Sequence, residues 1–552
     1  KALMPTGYGD GGGATNEDMC ERAQRLQSLA GMPKTKWGRI DEFFESMARV
    51  RANLPKWRGE IYMETHRGVQ TTQSRLKETF RQAERALQTL EAAHAVAGLG
   101  EIDEQLWKRL VFVQFHDNIP GSSIPRVYRE TIPELEAMTK QASKQASEAL
   151  GGKGNTHLFN PLAMPMVASH KGKTVFLPAL SAINIKEVDA IVDTVNAGKS
   201  SISNGRVKAS FNTKGEISKL IIDGCKVEHR EPLGQLFIFP DHPINFDAWD
   251  IDRDTLSLGT RCTTPTTVES GSDTTSAWTS FSRSIAQQST ITTRYEVRIG
   301  ESVLRITYHL DWQDTQTLLK VAMPTRYQGE NVRYGAPFGS TLRPQKQGTI
   351  AAEAMFEVPA SRWAVVCDDT ESQGLAMITE SKFGFGCRDG LLHCSLNRSA
   401  RHTQPHVAGT TTSLDLSEVP DEFTDIGEQV IRIALTSYEA STPREHQPAA
   451  LAETLFAEPV LVKGTAINTP IINIEGLHSI IPTWVKPMSD GSMLLRVNET
   501  LGKRGSITIY LANGWEAIES DVMGEATRQE FSRGKLTVKM KPYQLKTVRI
   551  RT

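Results

Sequence analysis

Cysteine is scarce in this chain of 552 residues, which carries six scattered thiols and no C-x-x-C pair. The scarcity excludes a dense disulfide framework and argues against a thiolate zinc site. We therefore expect free thiols and a reducing, cytoplasmic location. Cys387 and Cys394 lie close enough in sequence to be neighbours on adjacent strands, and we expect both to be free and buried as well.

An excess of charge of either sign is also missing, because 63 lysines and arginines face 64 acidic residues, for a net charge of −1. No basic tract with interleaved aromatic residues occurs, so nucleic acid is not an expected partner. No apolar run approaches the roughly 20 residues that a membrane-spanning helix needs, so no membrane association is expected. The length exceeds what one hydrophobic core usually holds, which predicts several domains.

Helical spacing is confined to the first 150 residues. Thr15-Asn16-Glu17-Asp18 has the spacing of a helix cap and predicts a short helix that Gly31 ends. Apolar residues recur in steps of three and four over 76–97, which predicts one long amphipathic helix. A third helix is predicted over 107–116, and a fourth from Pro133 to Gly151-Gly152. Together these patterns predict a helical bundle.

Alternating β-branched residues replace the helical pattern after Gly154, for example over 206–211 and 304–310. Many short strands of this kind predict stacked antiparallel sandwiches. Asn513-Gly514 is typical of a hairpin turn between two such strands.

Three stretches are predicted to lie outside regular structure. The segments 195–205 and 263–292 are rich in Ser, Thr and Gly and are predicted as loops, and 440–455, with its prolines, is predicted as a linker.

The segment from Gln114 to Ser123 joins an imidazole, His116, to a carboxylate, Asp117, where a helix meets a Pro-Gly turn. A helix end holds such side chains on rigid backbone, which suits a metal ligand and a substrate-binding carboxylate. A solvated surface pair is the structural alternative. A metal phosphohydrolase is a third interpretation, but it needs further ligands, and residues 68–135 add only His94.

Four blocks of the sequence, in the same order, resemble the class II α-mannosidases of glycoside hydrolase family 38, in the bacterial and cytosolic branch of that family. The blocks are Gly7 to Gly13, Leu54 to Gly68, Leu106 to Ser123 and Asp247 to Asp252. Weaker likenesses follow at Arg362-Trp363, Lys382 to Phe385 and Leu396 to Ser399.

The resemblance implies a zinc-dependent, retaining exo-α-mannosidase that acts on mannose-containing oligosaccharides. It implies an α+β multidomain fold with five parts: the end of a catalytic α/β barrel (1–38), a three-helix-type bundle (39–152), a small β domain (153–204), a large β-sandwich (205–442) and a C-terminal β-sandwich (443–552). Whether the protein forms a homo-oligomer is left open.

The resemblance also implies residue roles. Asp10 takes the position of the acid/base carboxylate, and His116 is a zinc ligand. The implied substrate-binding residues are Asp117, His66, Trp249, Asp250 and Arg398. No nucleophile is assigned in this chain, and the other zinc ligands are expected upstream of Lys1. The chain is therefore expected to be a C-terminal portion that is inactive alone.

Several of these residues have structural alternatives. The glycines around Asp10 satisfy G-x-G-x-x-G, but no βαβ unit surrounds them, so a simple turn is the alternative to a ligand loop. Trp249 could be a core residue, Arg67 could pair with Glu64, and Arg398 could be a solvated strand end.

A non-catalytic carbohydrate-binding or scaffold protein remains the rival function. The missing nucleophile and the large β region favour it.

Overall fold

The structure is a computed structural model that describes residues 2–8, 13–57, 59–62, 64–403, 422–464, 466–527 and 530–552. The chain divides into two compact units, Lys1–Ile61 and Tyr62–Thr552. Each unit is described by itself below.

The first unit contains two short helices, α1 (Glu17–Leu26) and α2 (Ile40–Ala48), and a 3-10 turn over Arg51–Asn53. The predicted cap of α1 is confirmed, because the Asn16 side chain accepts a hydrogen bond from the Met19 backbone N–H at 2.9 Å. None of the described residues of this unit is buried. Its described part contains no strand, so the predicted end of an α/β barrel is not confirmed.

The second unit begins with a 3-10 turn over Arg67–Gln70 and three helices, which confirm the predicted bundle. The helices are α3 (Ser74–Ala97), α4 (Glu104–Val113) and α5 (Pro125–Ala149). The predicted apolar stripe of α3 is buried from Leu76 to Leu90, with Leu76, Leu87 and Leu90 at 1 % exposure or less, whereas Ala97 at the end of the helix is exposed. Burying each such leucine stabilises the fold by roughly 2 kcal/mol. Because this burial requires apolar residues on one face, the helix could be predicted from their spacing.

The predicted start of the fourth helix was wrong, because α5 begins at Pro125 and contains Pro133 in its interior. Pro125 occupies the first helical position, where a missing N–H costs little. Pro133 removes one intrahelical hydrogen bond and frees the carbonyl of Arg129. Both residues are exposed, so water can solvate that carbonyl.

Antiparallel strands make up most of the rest of the chain, as predicted. A small β region holds a three-stranded sheet of order β25-β1-β4 and the hairpin β2-β3. Its strands are β1 (Asn155–Phe159), β2 (Met166–His170), β3 (Lys173–Leu177), β4 (Ala182–Asn184) and β25 (Val460–Gly464). The chain therefore returns to this region after a long excursion.

The large sandwich is built from a five-stranded sheet, β5-β6-β7-β8-β9, a six-stranded sheet, β11-β10-β16-β23-β22-β19, and a nine-stranded sheet, β12-β13-β14-β15-β24-β21-β20-β17-β18. The first strands are β5 (Asn196–Gly198), β6 (Ser201–Ser203), β7 (Val207–Phe211), β8 (Ile217–Ile222), β9 (Cys225–Lys226), β10 (Gln235–Pro240), β11 (Thr260–Arg261), β12 (Thr267–Ser272), β13 (Ser276–Ile285) and β14 (Ser289–Arg298). The later strands are β15 (Leu304–Trp312), β16 (Thr317–Pro324), β17 (Asn331–Ala336), β18 (Gly339–Pro344), β19 (Val358–Pro359), β20 (Trp363–Cys367), β21 (Gly374–Thr379), β22 (Gly384–Arg388), β23 (Leu391–Arg398) and β24 (Gly427–Tyr438). A 3-10 turn (Arg253–Leu258) and the short helix α6 (Ile350–Ala354) interrupt them.

The two loop predictions were wrong. Residues 195–205 contain β5 and β6, and 263–292 contain β12, β13 and the start of β14. In β14 buried residues, among them Ile291, Tyr295 and Val297, alternate with more accessible ones. Serine and threonine occupy both kinds of position, since Ser289 and Thr293 are buried, so polar composition concealed a period of two.

The predicted linker at 440–455 was also wrong. It forms a 3-10 turn over Arg444–His446 and the helix α7 (Pro448–Thr454), and Ala450, Leu451 and Ala452 of α7 are buried. Pro448 begins the helix rather than breaking it, as proline does at a first helical position.

The C-terminal sandwich pairs a three-stranded sheet, β26-β29-β32, with a five-stranded sheet, β27-β28-β33-β30-β31. Its strands are β26 (Ile471–Gly476), β27 (Ile480–Pro487), β28 (Met493–Glu499), β29 (Gly505–Leu511), β30 (Glu516–Ser520), β31 (Ser532–Arg533), β32 (Lys535–Met540) and β33 (Leu545–Arg551). The Asn513-Gly514 hairpin prediction was wrong, because that turn connects β29 and β30, which belong to different sheets.

The six cysteines are free, and Cys387 and Cys394 are buried without a bridge, as predicted. Among the described helices, none is both long and apolar enough to cross a membrane.

Candidate functional site

The turn between α4 and α5 carries His116 and Asp117. The helix ends at Val113, so both residues lie in the turn that follows it. The His116 side chain is 74 % exposed, and its Nε2 lies 3.5 Å from Oδ2 of Asp117, whose side chain is 45 % exposed. The ring of Phe115 packs against the His116 imidazole with centroids 4.4 Å apart. An imidazole and a carboxylate oxygen therefore face solvent together.

Asp117 is held from three directions. Ser122 Oγ donates to Asp117 Oδ1 at 2.9 Å, and Ser123 Oγ donates to the Asp117 backbone carbonyl at 2.8 Å. The Tyr128 hydroxyl donates to the same carbonyl at 3.3 Å and accepts from the Ser123 N–H at 2.6 Å. Oδ2 takes no part in these hydrogen bonds and lies beside His116 Nε2, so the fixed carboxylate can still accept a hydrogen bond from a ligand.

Lys77 also holds this turn in place. It is buried on α3, and its Nζ donates to the carbonyls of Thr72, Ile119 (3.0 Å) and Pro120 (3.2 Å). Burial lowers the pKa of Lys77 to about 7, with the charge of Lys382 adding to the effect and that of Asp425 opposing it. Through Lys77 the carbonyls of Ile119 and Pro120 thus tie the turn to the start of α3.

A second loop lies against residues 66–72. The His66 backbone N–H donates to the Asp250 carboxylate, and the Gly68 N–H donates to the Trp249 carbonyl at 2.7 Å. His66 itself has a left-handed backbone, with φ at 63°. A Cβ at Gly68 would overlap the Arg398 guanidinium and lie 2.9 Å from the Trp249 carbonyl oxygen, so only glycine fits there.

Arg398 is fully buried. It lies at the centre of a second cluster, which comprises residues 66–72, Asp241 and the loop 247–250. Its Nε donates to Asp241 Oδ2 at 2.6 Å, and Nη1 donates to Thr72 Oγ1 at 2.8 Å and to the Ala248 carbonyl at 3.4 Å. Nη2 donates to the carbonyls of Asp247 (2.7 Å) and Asp250. All five N–H donors therefore have protein acceptors. Burial raises the pKa of Asp241, although Arg398 opposes that shift.

Thr72 contacts both the turn that carries His116 and the second cluster. Its hydroxyl accepts from Arg398 and lies within hydrogen-bonding distance of the Gly68 carbonyl (2.9 Å), and its backbone carbonyl accepts from Lys77. A Cβ at Gly121 would lie 2.6 Å from that same carbonyl, so the turn after His116 packs directly on Thr72. Among the described side chains, neither His116 nor Asp117 forms a hydrogen bond or ion pair with the second cluster.

The structure places the described ones among the predicted residues in two groups. His116 and Asp117 share one turn, whereas His66, Asp250 and Arg398 meet in the second cluster. Trp249 is half-buried in that cluster and packs edge-on against Phe246, with ring centroids 6.0 Å apart. Asp10 lies outside the described residues.

Two of the structural alternatives are also settled. Arg398 is not a solvated strand end, because it is fully buried. Arg67 donates to the backbone carbonyl of Glu64 rather than to its carboxylate, and its guanidinium lies 4.3 Å from the Phe356 ring centroid.

A zinc ion needs three or four protein ligands. In the part of the chain that the structure describes, no group of three or more His, Cys, Asp or Glu side chains could hold a metal ion. His116 offers one imidazole beside one carboxylate. These residues alone do not make a complete zinc site.

Sequence reasoning missed the residues that support the site. Thr72, Lys77 and Tyr128 belong to no recognisable sequence motif. The only local signal is Lys77, a charged residue next to the apolar stripe of α3. His402 was also missed; Gln73 Nε2 lies 3.2 Å from its Nδ1, and its ring lies 5.8 Å from that of Tyr128. Burial lowers the pKa of His402.

Four family models match this chain in order. They are the glycosyl hydrolases family 38 N-terminal domain (residues 1–60), the alpha mannosidase middle domain (64–151), the family 38 C-terminal domain (202–406) and the family 38 C-terminal beta sandwich domain (479–548). The matched ranges together take in most of the chain.

Curated relatives carry α-mannosidase names. An α-mannosidase of Saccharomyces cerevisiae is 24 % identical over 99 % of this chain and 54 % of the relative. Alpha-mannosidase 2C1 of Homo sapiens is 25 % identical over 72 % of this chain and 42 % of the relative. Alpha-mannosidase G of Dictyostelium discoideum is 24 % identical over 100 % and 58 %. The chain spans about half the length of these relatives.

Two solved structures share the fold. A family 38 glycosyl hydrolase protein from Enterococcus faecalis has a TM-score of 0.68 at 12 % identity and covers 97 % of this chain and 76 % of its own. An α-mannosidase from Enterococcus faecalis V583 has a TM-score of 0.66 at 13 % identity and covers 92 % and 72 %.

Proposed function

Since the chain belongs to glycosyl hydrolase family 38, we propose that it is part of a retaining exo-α-mannosidase that removes terminal α-linked mannose from oligosaccharides. The order of its four matched domains and the names of its relatives support this activity. The observation that carries the proposal is the turn that presents His116 and Asp117 together to solvent.

Asp117 binds sugar hydroxyl groups in this proposal. Ser122 and Ser123 hold the side chain and backbone of Asp117, so little conformational entropy is lost when a hydroxyl donates to Oδ2, which no hydrogen bond from these serines occupies. A carboxylate acceptor also forms a stronger hydrogen bond than a neutral one. Fixing a hydroxyl of mannose in this way orients the sugar ring for attack at its anomeric carbon.

His116 contributes one ligand to a zinc ion in this proposal. The neutral imidazole is a common zinc ligand, and its exposure leaves a ring nitrogen accessible. The described residues supply too few ligands for the ion, so the others would come from outside the described ranges. When bound, zinc would supply Lewis-acid contacts to sugar hydroxyls.

Retaining hydrolysis needs two carboxyl groups about 5 Å apart, one as nucleophile and one as acid and then base. We propose Asp10 for the acid/base role on the basis of its position in the family resemblance. No residue of this chain is proposed as the nucleophile.

The second cluster positions rather than reacts. Arg398 has no donor left for a sugar, so we assign it to fixing the 247–250 loop. The Asp250 carboxylate accepts from His66, so we propose that it sets the backbone there, with His66 and Trp249 providing the surface that a sugar would contact.

We also propose that the chain is inactive alone. The match to an N-terminal-domain model at 1–60 and the lack of any buried residue in the described part of that unit both support a segment that needs more protein to complete its core. A cytoplasmic location is proposed with it, supported by six free cysteines.

The rival is a carbohydrate-binding or scaffold protein without hydrolytic activity. The predominance of β-sandwich structure and the lack of an assigned nucleophile favour it. Zinc binding and turnover in the complete gene product distinguish the two functions.

The test is the zinc content of the complete protein carrying His116→Ala, measured by mass spectrometry of the dialysed protein. We expect most of the bound zinc and turnover to be lost. His402→Ala is the matched control, because it removes a nearby imidazole and should leave zinc in place. An unchanged zinc content in His116→Ala would refute the assignment of His116 as a ligand.

A second variant separates sugar binding from metal binding. Asp117→Asn keeps an acceptor for Ser122 but removes the charge, so turnover should fall roughly 100-fold, as for a lost transition-state hydrogen bond, while zinc remains bound. Asp10→Asn should likewise reduce turnover and leave zinc in place.

A further inference from the structure

The C-terminal sandwich has a cavity at one end, where the loop from β28 to β29 meets the turn from β32 to β33. Its volume is about 600 Å³. The side chains that line it include four cations and no carboxylate or aromatic ring: Arg504, Ser506, Lys539, Lys541, Gln544 and Lys546. A concave surface of this size is in the range of small-molecule sites.

The positive charge of this cavity is largely uncompensated. Lys546 Nζ lies 2.7 Å from Glu519 Oε2. Arg504, Lys539 and Lys541 form no ion pair with any carboxylate in the part of the chain that the structure describes. Glu475, on the same face of the three-stranded sheet, accepts from the Tyr510 hydroxyl at 3.0 Å. Three cations without a counter-charge raise the local concentration of anions.

A buried carboxylate holds the two segments that carry these cations. Glu499 is fully buried and accepts from the backbone N–H groups of Leu501 (3.0 Å), Gly502 (2.8 Å) and Tyr543 (3.0 Å). Ser479 Oγ also donates to it, at 2.6 Å. One carboxylate therefore fixes the loop before Arg504 and the turn between Lys541 and Gln544 relative to each other.

The turn itself is rigid. Pro542 occupies its second position, and Tyr543 follows with a positive φ of 55°. The Gln544 side chain accepts from the Lys541 N–H at 2.8 Å. A Cβ at Gly502 would lie 2.7 Å from the Tyr543 hydroxyl, so the ring packs directly on the opposite loop. The cations are thus presented by preorganised backbone, which lowers the entropic cost of binding a ligand.

We propose that this cavity binds the phosphate group of a phosphorylated sugar. Lysine ammonium groups are compact point charges that suit phosphate, and the arginine adds a planar fork. The lining has no aromatic ring on which a base could stack, which disfavours nucleic acid. A volume of about 600 Å³ leaves room for a monosaccharide beside the phosphate. The proposal does not depend on the mannosidase activity.

Isothermal titration calorimetry of the chain with mannose 6-phosphate, inorganic phosphate and mannose tests the proposal. We expect mannose 6-phosphate to bind more tightly than inorganic phosphate and mannose not to bind at this site. Raising the salt concentration about tenfold should weaken phosphate binding by roughly tenfold, because the cations are exposed to screening. No phosphate binding would overturn the site, and equal affinity for both phosphates would overturn the sugar component.

Variants identify the residues. The double substitution Lys539→Gln with Lys541→Gln should weaken mannose 6-phosphate binding at least tenfold, since two charges are removed. Lys535→Gln is the matched control, because it lies on the same strand outside the cavity and should leave binding unchanged. Thermal unfolding checks that each variant is folded. Equal losses in both variants would show a diffuse charge effect and overturn the assignment.

A vesicle arm excludes a membrane surface. The chain should not sediment with vesicles containing phosphatidic acid once mannose 6-phosphate is added. Vesicle binding that resists this competitor would overturn the sugar-phosphate proposal in favour of a lipid headgroup.

Discussion

The two units of this chain differ in how their apolar residues are used. In residues 1–61 large side chains such as Trp37, Phe44 and Trp57 are exposed, and none of the described residues is buried. In residues 62–552 aromatic residues such as Trp312 are fully buried. Helix caps and apolar spacing occur in both units. Residues near in sequence therefore suffice to form helices, but a hydrophobic core requires apolar surface from elements that are distant in sequence.

The same difference applies to the candidate site. Asp10 lies in the first unit, where the described residues lack a core, whereas His116 and Asp117 lie on a turn that Lys77, Ser122 and Ser123 hold in place. The second unit thus holds the proposed zinc ligand and the proposed sugar-binding carboxylate on an ordered turn. We expect the first unit to become ordered only when further protein covers its apolar side chains.

Amide hydrogen exchange gives the largest expected contrast between the units. Amides of α1 and α2 should exchange at nearly unprotected rates, whereas those of the buried face of α3 should be slower by about a thousandfold or more. Protection in α1 comparable with that in α3 would contradict the comparison. Deleting residues 1–61 provides the companion test, because the remaining chain should keep its unfolding temperature.

Arg398→Met tests whether the second unit depends on its buried network. Removing the guanidinium leaves Asp241 buried without its partner and frees the carbonyls of Asp247 and Asp250, so the free energy of unfolding should fall by about 3–5 kcal/mol. Arg126→Met is the control, because that arginine forms an exposed pair with Glu130 and its loss should leave the free energy of unfolding nearly unchanged. Equal effects would refute the role of the network.

Glu91 joins the bundle to the C-terminal sandwich and gives a smaller, pH-dependent effect. Its carboxylate accepts from Trp107 Nε1 at 3.1 Å and from Trp484 Nε1 at 2.7 Å. Burial raises the pKa of Glu91 from 4.5 to about 7, while the two indole donors and the nearby charges of Lys486 and Arg496 oppose the shift.

The pKa of Glu91 is raised on folding, so between pH 4.5 and 7 the folded state binds the extra proton. The contribution of Glu91 to the free energy of unfolding is therefore fully present below pH 4.5. It is lost as the pH rises through about 7, by an amount on the order of 3 kcal/mol. Denaturant unfolding across this range should show the decline, and Glu91→Gln should flatten it. An unchanged slope in Glu91→Gln would assign the decline to other groups.

The sequence was sufficient for features that depend on near neighbours. The cap at Asn16, the stripe of α3 and the helix before His116 all follow from residues within a few positions. Features that depend on residues distant in sequence could not be predicted. Asn513-Gly514 resembles a hairpin turn, yet its flanking strands pair with partners in different sheets.

The site shows the same limit. His116 and Asp117 were identified from a family motif, but the supporting contacts could not be, because Arg398 and Thr72 are separated by 326 positions. Arg398 was expected to bind substrate or to be solvated, and it is buried among protein acceptors. No local pattern distinguishes a buried arginine from an exposed one at a strand end. Asp10 stays a prediction, because it lies outside the described residues.

The most direct test of the central claim is mannose release from an α-mannoside, measured in parallel for this 552-residue chain and for the complete gene product that contains it. The account predicts release by the complete protein and none by the chain alone, because we propose that the chain supplies no nucleophile and only one zinc ligand. Turnover by the chain alone would contradict the partial site, and no turnover by the complete protein would favour the carbohydrate-binding alternative.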